Sequence, residues 1–135
     1  MILAVDVSYV NDNAVAAGVL FEKWESDAPT AELVVEIEDV AEYVPGQFYL
    51  RELPCIQKLI DKVTQPVECI VIDGYVTLGE TKIPGLGMHL WEALGNRVKV
   101  IGVAKSRFYG TSDDAVLYRG ASKAPLYITA AGLSR

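Results

Sequence analysis

The sequence predicts an α/β fold in which a mixed sheet carries helices on its faces. Three observations lead there. The first forty residues read as strands joined by short polar turns. A helical apolar period then replaces the strand pattern from residue 54, and again between 84 and 95. Two short and almost wholly apolar runs, 67–73 and 98–105, stand between and after those helices, as buried strands of α/β proteins do. At 135 residues the chain is expected to form one domain, spanning 1–135.

Taken in order, "MILAVDVSYV" is nearly continuous in apolar residues and reads as a buried strand. "NDNA" supplies turn chemistry, "AVAAGVLFEKW" reads as a second strand, and "SDAPT" turns again with Pro29 as breaker. "AELVVEIEDV" alternates and reads as a third, half-exposed strand, giving an antiparallel meander. From Pro54 the residues Ile56, Leu59, Ile60 and Val63 fall at helical spacing, and proline suits a first helical turn. "VECIVID" reads as a buried strand. "PGLGMHLWEALG" reads as a helix bracketed by Pro84 and Gly95. "VKVIGVAK" is a further buried strand, and "DAVLYRG" with "APLYITA" reads as a closing strand pair. The order fits a ribonuclease H-like layout, and other α/β layouts share it.

Composition narrows the class. Half of the residues are apolar and 22% are charged, which suits a soluble domain with a substantial core. No apolar run is long enough to span a bilayer, so no membrane partner is expected. "MILAVDVSYV" has no basic leader and is interrupted by Asp6, so no signal peptide is read and a cytoplasmic location is expected. Cys55 and Cys69 lie in apolar surroundings and read as buried thiols rather than a disulfide. The net charge of −6 argues against non-specific coating of nucleic acid. Charge is unevenly spread, however. Residues 1–96 hold 5 Lys/Arg against 16 Asp/Glu, a balance of −11, whereas residues 97–135 hold 7 against 2, a balance of +5. Lys105, Arg107, Arg119 and Lys123 belong to that tail; they form a local basic face for an anionic partner or an ordinary solvated surface.

Three acids fall at element ends or inside strands. Asp6 interrupts the first strand, on the face of Ala4 and Ser8, where a lone carboxylate is expensive unless paired or bound to a cation. Asp73 ends the run "VECIVID", at the strand end where ligand sites collect in open α/β sheets. Glu52 stands at a helix entrance, four residues before Ile56 on the apolar stripe. If the strands 1–9 and 67–73 are adjacent, the three converge at one edge. Oxygen ligands of this kind suit Mg²⁺ or Mn²⁺. Such ions activate water and stabilise phosphoryl transfer. The plainer readings are a lysine beside Asp6, a helix-dipole role for Glu52 and a turn pair at Asp73-Gly74.

Taken with the element order, "VDVSY" (5–9), "YVPGQFYLREL" (43–53), "IVIDG" (70–74), "IGVAKS" (101–106) and "PLYIT" (125–129) resemble, in order, the signature blocks of the endonuclease V family. The resemblance implies a ribonuclease H-like fold and Mg²⁺-dependent cleavage of DNA or RNA near deaminated bases, chiefly inosine. It implies that Asp6, Glu52 and Asp73 are the catalytic, metal-binding carboxylates and that Lys105 lies near the reacting phosphate. It also implies that Tyr43, Val44, Pro45 and Gly46 form a wedge turn beside the damaged base. An aromatic and a proline on a stiff turn can replace the stacking lost when a base is flipped out. Gly74, Arg119 and Lys123 are further candidates for contact with nucleic acid.

The chain departs from the family pattern in two places. The family carries a His-Pro-Arg stretch soon after its "DG" aspartate, whereas Leu78, Gly79 and Glu80 stand there in "DGYVTLGETKIPGLG". The family's late strand leads to a Gly-His pair and a closing helix, whereas "YITAAGLSR" has no histidine. The carboxylates are kept and two accessory features are missing, as in a short, divergent branch. A homodimer is one way for such a domain to bury apolar surface. His89, the only histidine, reads as structural or pocket-lining, and Trp91 as core or interface. The leading expectation is a Mg²⁺- or Mn²⁺-dependent endonuclease. The alternatives are a non-catalytic module on the same fold that binds nucleic acid or protein, and an enzyme acting on another anionic substrate such as a nucleotide.

Overall fold

The computed structural model describes residues 1–10, 13–38, 49–78, 83–104, 116–117 and 126–132. They fall into two compact units, Met1–Ile70 and Val71–Arg135.

The first unit is built on the expected meander. β1 (Ile2–Val10) pairs antiparallel with β2 (Asn13–Phe21), and β2 pairs antiparallel with β3 (Ala31–Ile37). Side chains alternate along each strand, so the register sorts them into two faces. Leu3, Val5, Ala14, Ala16, Leu20 and Ile37 are buried on one face. α1 (Tyr49–Ile60) packs on that face and buries Cys55, Ile56 and Leu59 against it. Burial of a leucine or isoleucine of this kind stabilises by about 1.5–3 kcal/mol each. The opposite face carries Asp6, Ser8, Val10, Ala17, Val19, Glu32, Val34 and Glu36, all exposed.

α1 begins earlier than the proline predicts. Its first residue is Tyr49, and Pro54 is the sixth residue of the helix. A proline removes one helical hydrogen bond and crowds the preceding turn. The buried stripe of Cys55, Ile56 and Leu59 outweighs that defect. Beyond α1, the Glu68 N–H donates to the Met1 carbonyl (2.9 Å), and the Met1 ammonium donates to the Pro66 carbonyl (3.2 Å). The start of β4 (Cys69–Asp73) is thereby fastened beside the start of β1. Both cysteines are buried and unbridged, as their surroundings predict.

The second unit holds the end of β4 and then β7 (Lys99–Ala104), β9 (Leu126–Ala131) and the two-residue β8 (Val116–Leu117), in the order β4-β7-β9-β8. β9 pairs antiparallel with both β7 and β8, which is the closing pair expected from the sequence. A small hairpin of β5 (Thr77–Leu78) and β6 (Ile83–Pro84) follows β4 and was not predicted. α2 (Leu86–Ala93) packs on β7 and β9 and buries Leu86 and Leu90. Gly95, with φ 71°, lies just beyond its end, where the sequence placed a stop.

Candidate active-site carboxylates

Asp6 lies in the middle of β1, opposite Ala17 of β2, and its side chain is exposed on the face turned away from α1. Glu52 lies in the first turn of α1 and is half-buried. Strand alternation therefore separates the two: Tyr9, three residues after Asp6, points to the α1 side, and Asp6 does not.

Glu52 has neighbours that the sequence reading missed. The Arg51 guanidinium carbon stands 3.9 Å from the centre of the Tyr9 ring, within cation–π range. Burial pushes the Tyr9 hydroxyl up from its ordinary pKa; the Glu52 charge and the Cys55 thiol add to the push, and Arg51 opposes it. Burial likewise pushes the Cys55 thiol up, with Glu52 next in effect, against Lys58 and Arg51. The Cys55 thiol donates to the Arg51 carbonyl at 3.4 Å. Tyr9 Oη and Arg51 Nε are buried and have no hydrogen-bond partner among the described residues. At neutral pH Tyr9 is thus a neutral phenol under a cation, beside a carboxylate. Two signals pointed to it: Tyr9 shares the β1 face of Val5 and Val7, and Arg51 adjoins Glu52 in sequence.

Asp73 is exposed at the last position of β4, and the segment that follows is held from three sides. Gly74 adopts φ 133°, a conformation that side chains resist, and its N–H donates to the Val103 carbonyl of β7 at 2.9 Å. The Val76 N–H donates to Thr129 Oγ1 of β9 at 2.7 Å. Gly87 N–H donates to the Tyr75 carbonyl and Met88 N–H to the Val76 carbonyl, at 3.1 and 3.2 Å. Those two amides belong to the first turn of α2, where helix donors lack internal partners. α2 has no side-chain cap, and the backbone after Asp73 takes that role. Tyr75 is buried and stacks on Tyr127, ring centres 6.5 Å apart. Asp73 thus stands on a pedestal of backbone hydrogen bonds, which limits its motion.

Among the described residues no group of three or more His, Cys, Asp or Glu side chains gathers to hold a metal ion. Carboxylate oxygens are nonetheless the donors that a hard divalent cation takes, and the exposure of Asp6 and Asp73 keeps them reachable. His89 is half-buried in α2, and Trp91 is half-buried there too. Lys105, Tyr43, Val44, Pro45, Gly46, Arg119 and Lys123 lie outside the described residues. No helix among the described residues is long and apolar enough to cross a membrane.

The family model described as endonuclease V matches residues 1–133. The chain belongs to the endonuclease V family. An endonuclease V of Streptomyces avermitilis is 37% identical over 131 residues, covering 93% of this chain and 53% of that protein. One of Geotalea uraniireducens is 29% identical, covering 88% and 49%. The chain spans about half the length of the curated endonuclease V relatives it matches. The structure of the Streptomyces avermitilis endonuclease V superposes with a TM-score of 0.70 at 28% identity, covering 94% of this chain and 63% of that one. The Ciona intestinalis endonuclease V, solved with a DNA containing an inosine followed by a ribo-adenosine, superposes with a TM-score of 0.74 at 20% identity, covering 96% and 70%. The α/β class expected from the sequence, a mixed sheet with helices, is thereby the fold of the endonuclease V structures.

Proposed function

We propose that this chain is a metal-dependent phosphodiesterase of the endonuclease V type, acting on DNA or RNA at deaminated bases such as inosine. The match of the family model over residues 1–133 carries this reading. The family resemblance gives Asp6, Glu52 and Asp73 as the carboxylates that would hold Mg²⁺ or Mn²⁺; Asp6 and Asp73 offer exposed oxygen donors, whereas Glu52 belongs to α1 on the other side of β1 and would have to turn toward them. A bound ion of that kind supplies an activated water and neutralises charge on the phosphate. The chain's own groups do the rest. Arg51, stacked on the Tyr9 ring, keeps a positive charge close to the Glu52 carboxylate in sequence. The hydrogen-bonded Gly74–Val76 segment fixes Asp73. Lys105 meets the negative charge that develops on the phosphate. Tyr43, Val44, Pro45 and Gly46 form the wedge, and Gly74, Arg119 and Lys123 contact the nucleic acid. The two unbridged cysteines fit the reducing cytoplasm.

A second reading has a specific observation behind it. Leu78, Gly79 and Glu80 replace the His-Pro-Arg stretch, which favours a module that binds nucleic acid or protein without cleaving it. Metal linkage separates the two. A catalytic site gains thermal stability as Mg²⁺ or Mn²⁺ is added, by about 1.4 kcal/mol at tenfold above the dissociation constant. Asp6→Asn removes that gain. Stability that ignores both ions, or a gain that survives Asp6→Asn, assigns the chain to the non-catalytic reading.

A further inference from the structure

We infer that Tyr9 is a positioning residue whose ring seats Arg51 as a phosphate-binding group, so that an aromatic side chain at position 9 sets how tightly the chain holds nucleic acid. That the phosphate belongs to nucleic acid rests on the proposed function; the phosphate-binding group rests on geometry. Tyr9 closes the β1 face that meets α1, after Leu3, Val5 and Val7. Arg51 is the third residue of α1. The two elements meet there with the guanidinium carbon over the Tyr9 ring, 3.9 Å from its centre.

The seated cation lacks a counter-ion. Arg51 is half-buried, and among the described residues no carboxylate forms an ion pair with it. Glu52 follows it in sequence, and residues one apart do not face each other on a helix. Arg51 Nε is buried and donates to nothing among the described residues. The terminal nitrogens Nη1 and Nη2 are not among the buried unpartnered atoms, and they bond to no described residue, so they stay open to solvent. A cation partly stripped of water is costly until an anion meets it. The outer edge of a guanidinium is a planar fork that fits two oxygens of one phosphate. Its place in the first turn of α1 acts in the same direction, because a helix start favours anions.

The ring, rather than the hydroxyl, does the seating. Tyr9 Oη is buried and has no hydrogen-bond partner among the described residues. The Arg51 main chain is held by the helix and accepts from the Cys55 thiol at 3.4 Å, which leaves its side chain free to turn. Among the described residues the Tyr9 ring is what holds the guanidinium. A long side chain that is already fixed loses less freedom when a phosphate binds, and affinity rises accordingly. Without the ring, Arg51 keeps its charge and loses its aim.

The test uses the full chain and a labelled single-stranded DNA carrying one inosine, in EDTA so that binding is read without cleavage. Fluorescence anisotropy gives the affinity over a range of salt. Arg51→Met keeps the stem and removes the charge. It is expected to weaken binding about tenfold or more and to lower the slope of log affinity against log salt by about 0.7, one phosphate contact on a single strand. Tyr9→Leu keeps apolar bulk, removes the ring and should weaken binding about threefold or more; Tyr9→Met serves where Tyr9→Leu does not fold. Tyr9→Phe keeps the ring and should bind as the unmodified chain does. Tyr9→Leu/Arg51→Met should bind no more weakly than Arg51→Met alone, whereas a merely structural Tyr9 would add its loss. Losses that add, an unchanged affinity and slope in Arg51→Met, an unchanged affinity in Tyr9→Leu, or a Tyr9→Phe as weak as Tyr9→Leu overturn the inference. Inorganic pyrophosphate separates the inference from the nuclease reading. Against sodium chloride of equal ionic strength, it should raise the melting temperature of the unmodified chain and of Tyr9→Phe, and not that of Arg51→Met. A chain that binds no DNA yet keeps this pattern loses the nuclease reading and keeps the phosphate-binding group. A chain without the pattern loses the phosphate-binding group even where it cleaves DNA.

Discussion

Gly102, in the middle of β7, is the residue whose smallness the Asp73 region depends on most. A methyl group built there would collide with the Gly74 carbonyl oxygen and stand 3.0 Å from both the Val76 amide nitrogen and Thr129 Oγ1. Two of those atoms are backbone, and the segment they belong to is held by β7, β9 and α2 at once. It cannot step aside without breaking a bond. Overpacking of this kind costs roughly 1–3 kcal/mol. Loss of the Val76–Thr129 hydrogen bond strands a buried amide and costs roughly 1–3 kcal/mol more. Gly102→Ala is therefore expected to destabilise by about 4 kcal/mol. At this chain length each kcal/mol is worth roughly 4 °C, so the melting temperature should fall by about 15 °C. Thermal and urea unfolding measure it, with an unchanged urea slope showing that the native state stays compact. Stability within about 0.5 kcal/mol of the unmodified chain, the ordinary range of surface changes, would refute the view that this contact is rigid.

Other consequences follow from the same geometry. Thr129→Val keeps the shape but removes the acceptor of the Val76 N–H, so it should cost about 1–3 kcal/mol, and Thr129→Ser much less. A methyl on Gly18 would meet Leu59 at 2.9 Å and Leu3 at 3.1 Å, so Gly18→Ala and Leu59→Ala should each destabilise, the latter by about 2–5 kcal/mol. Combined, they should destabilise by less than the sum, because the methyl added at Gly18 fills part of the cavity that Leu59→Ala leaves; a double-mutant cycle reads the coupling. Alkaline pH should also unfold the chain. Tyr9 and Cys55 both have raised folded-state values, so the unfolded state loses those protons first and stability falls as pH rises above about 8.5–10. Tyr9→Phe should remove the tyrosine share of that loss, measured as melting temperature against pH.

The sequence made the strands legible because alternation needs no long-range information. "AVAAGVLF" buries Ala14, Ala16 and Leu20 on one face, as its pattern demands. The helical stripe was equally plain, but its start was not. A proline usually opens a helix, and here Ile56 and Leu59 gain enough from burial to carry Pro54 inside one. The hairpin β5–β6 escaped because two residues carry no period. Asp6, Glu52 and Asp73 were visible as carboxylates at odd positions. Their supports were not, since Thr129 meets Val76 across 53 residues of chain and nothing local in "YITA" announces it. Nor could local pattern reveal that Gly102 admits the Gly74 carbonyl.

The most direct test is cleavage of labelled single- and double-stranded DNA and RNA, each with and without one inosine, in Mg²⁺ and in Mn²⁺. The expected result is metal-dependent cleavage linked to inosine that Asp73→Asn abolishes while the fold is kept. Cleavage that persists in Asp73→Asn, or no cleavage of any of these substrates by a folded chain, would contradict the proposed nuclease.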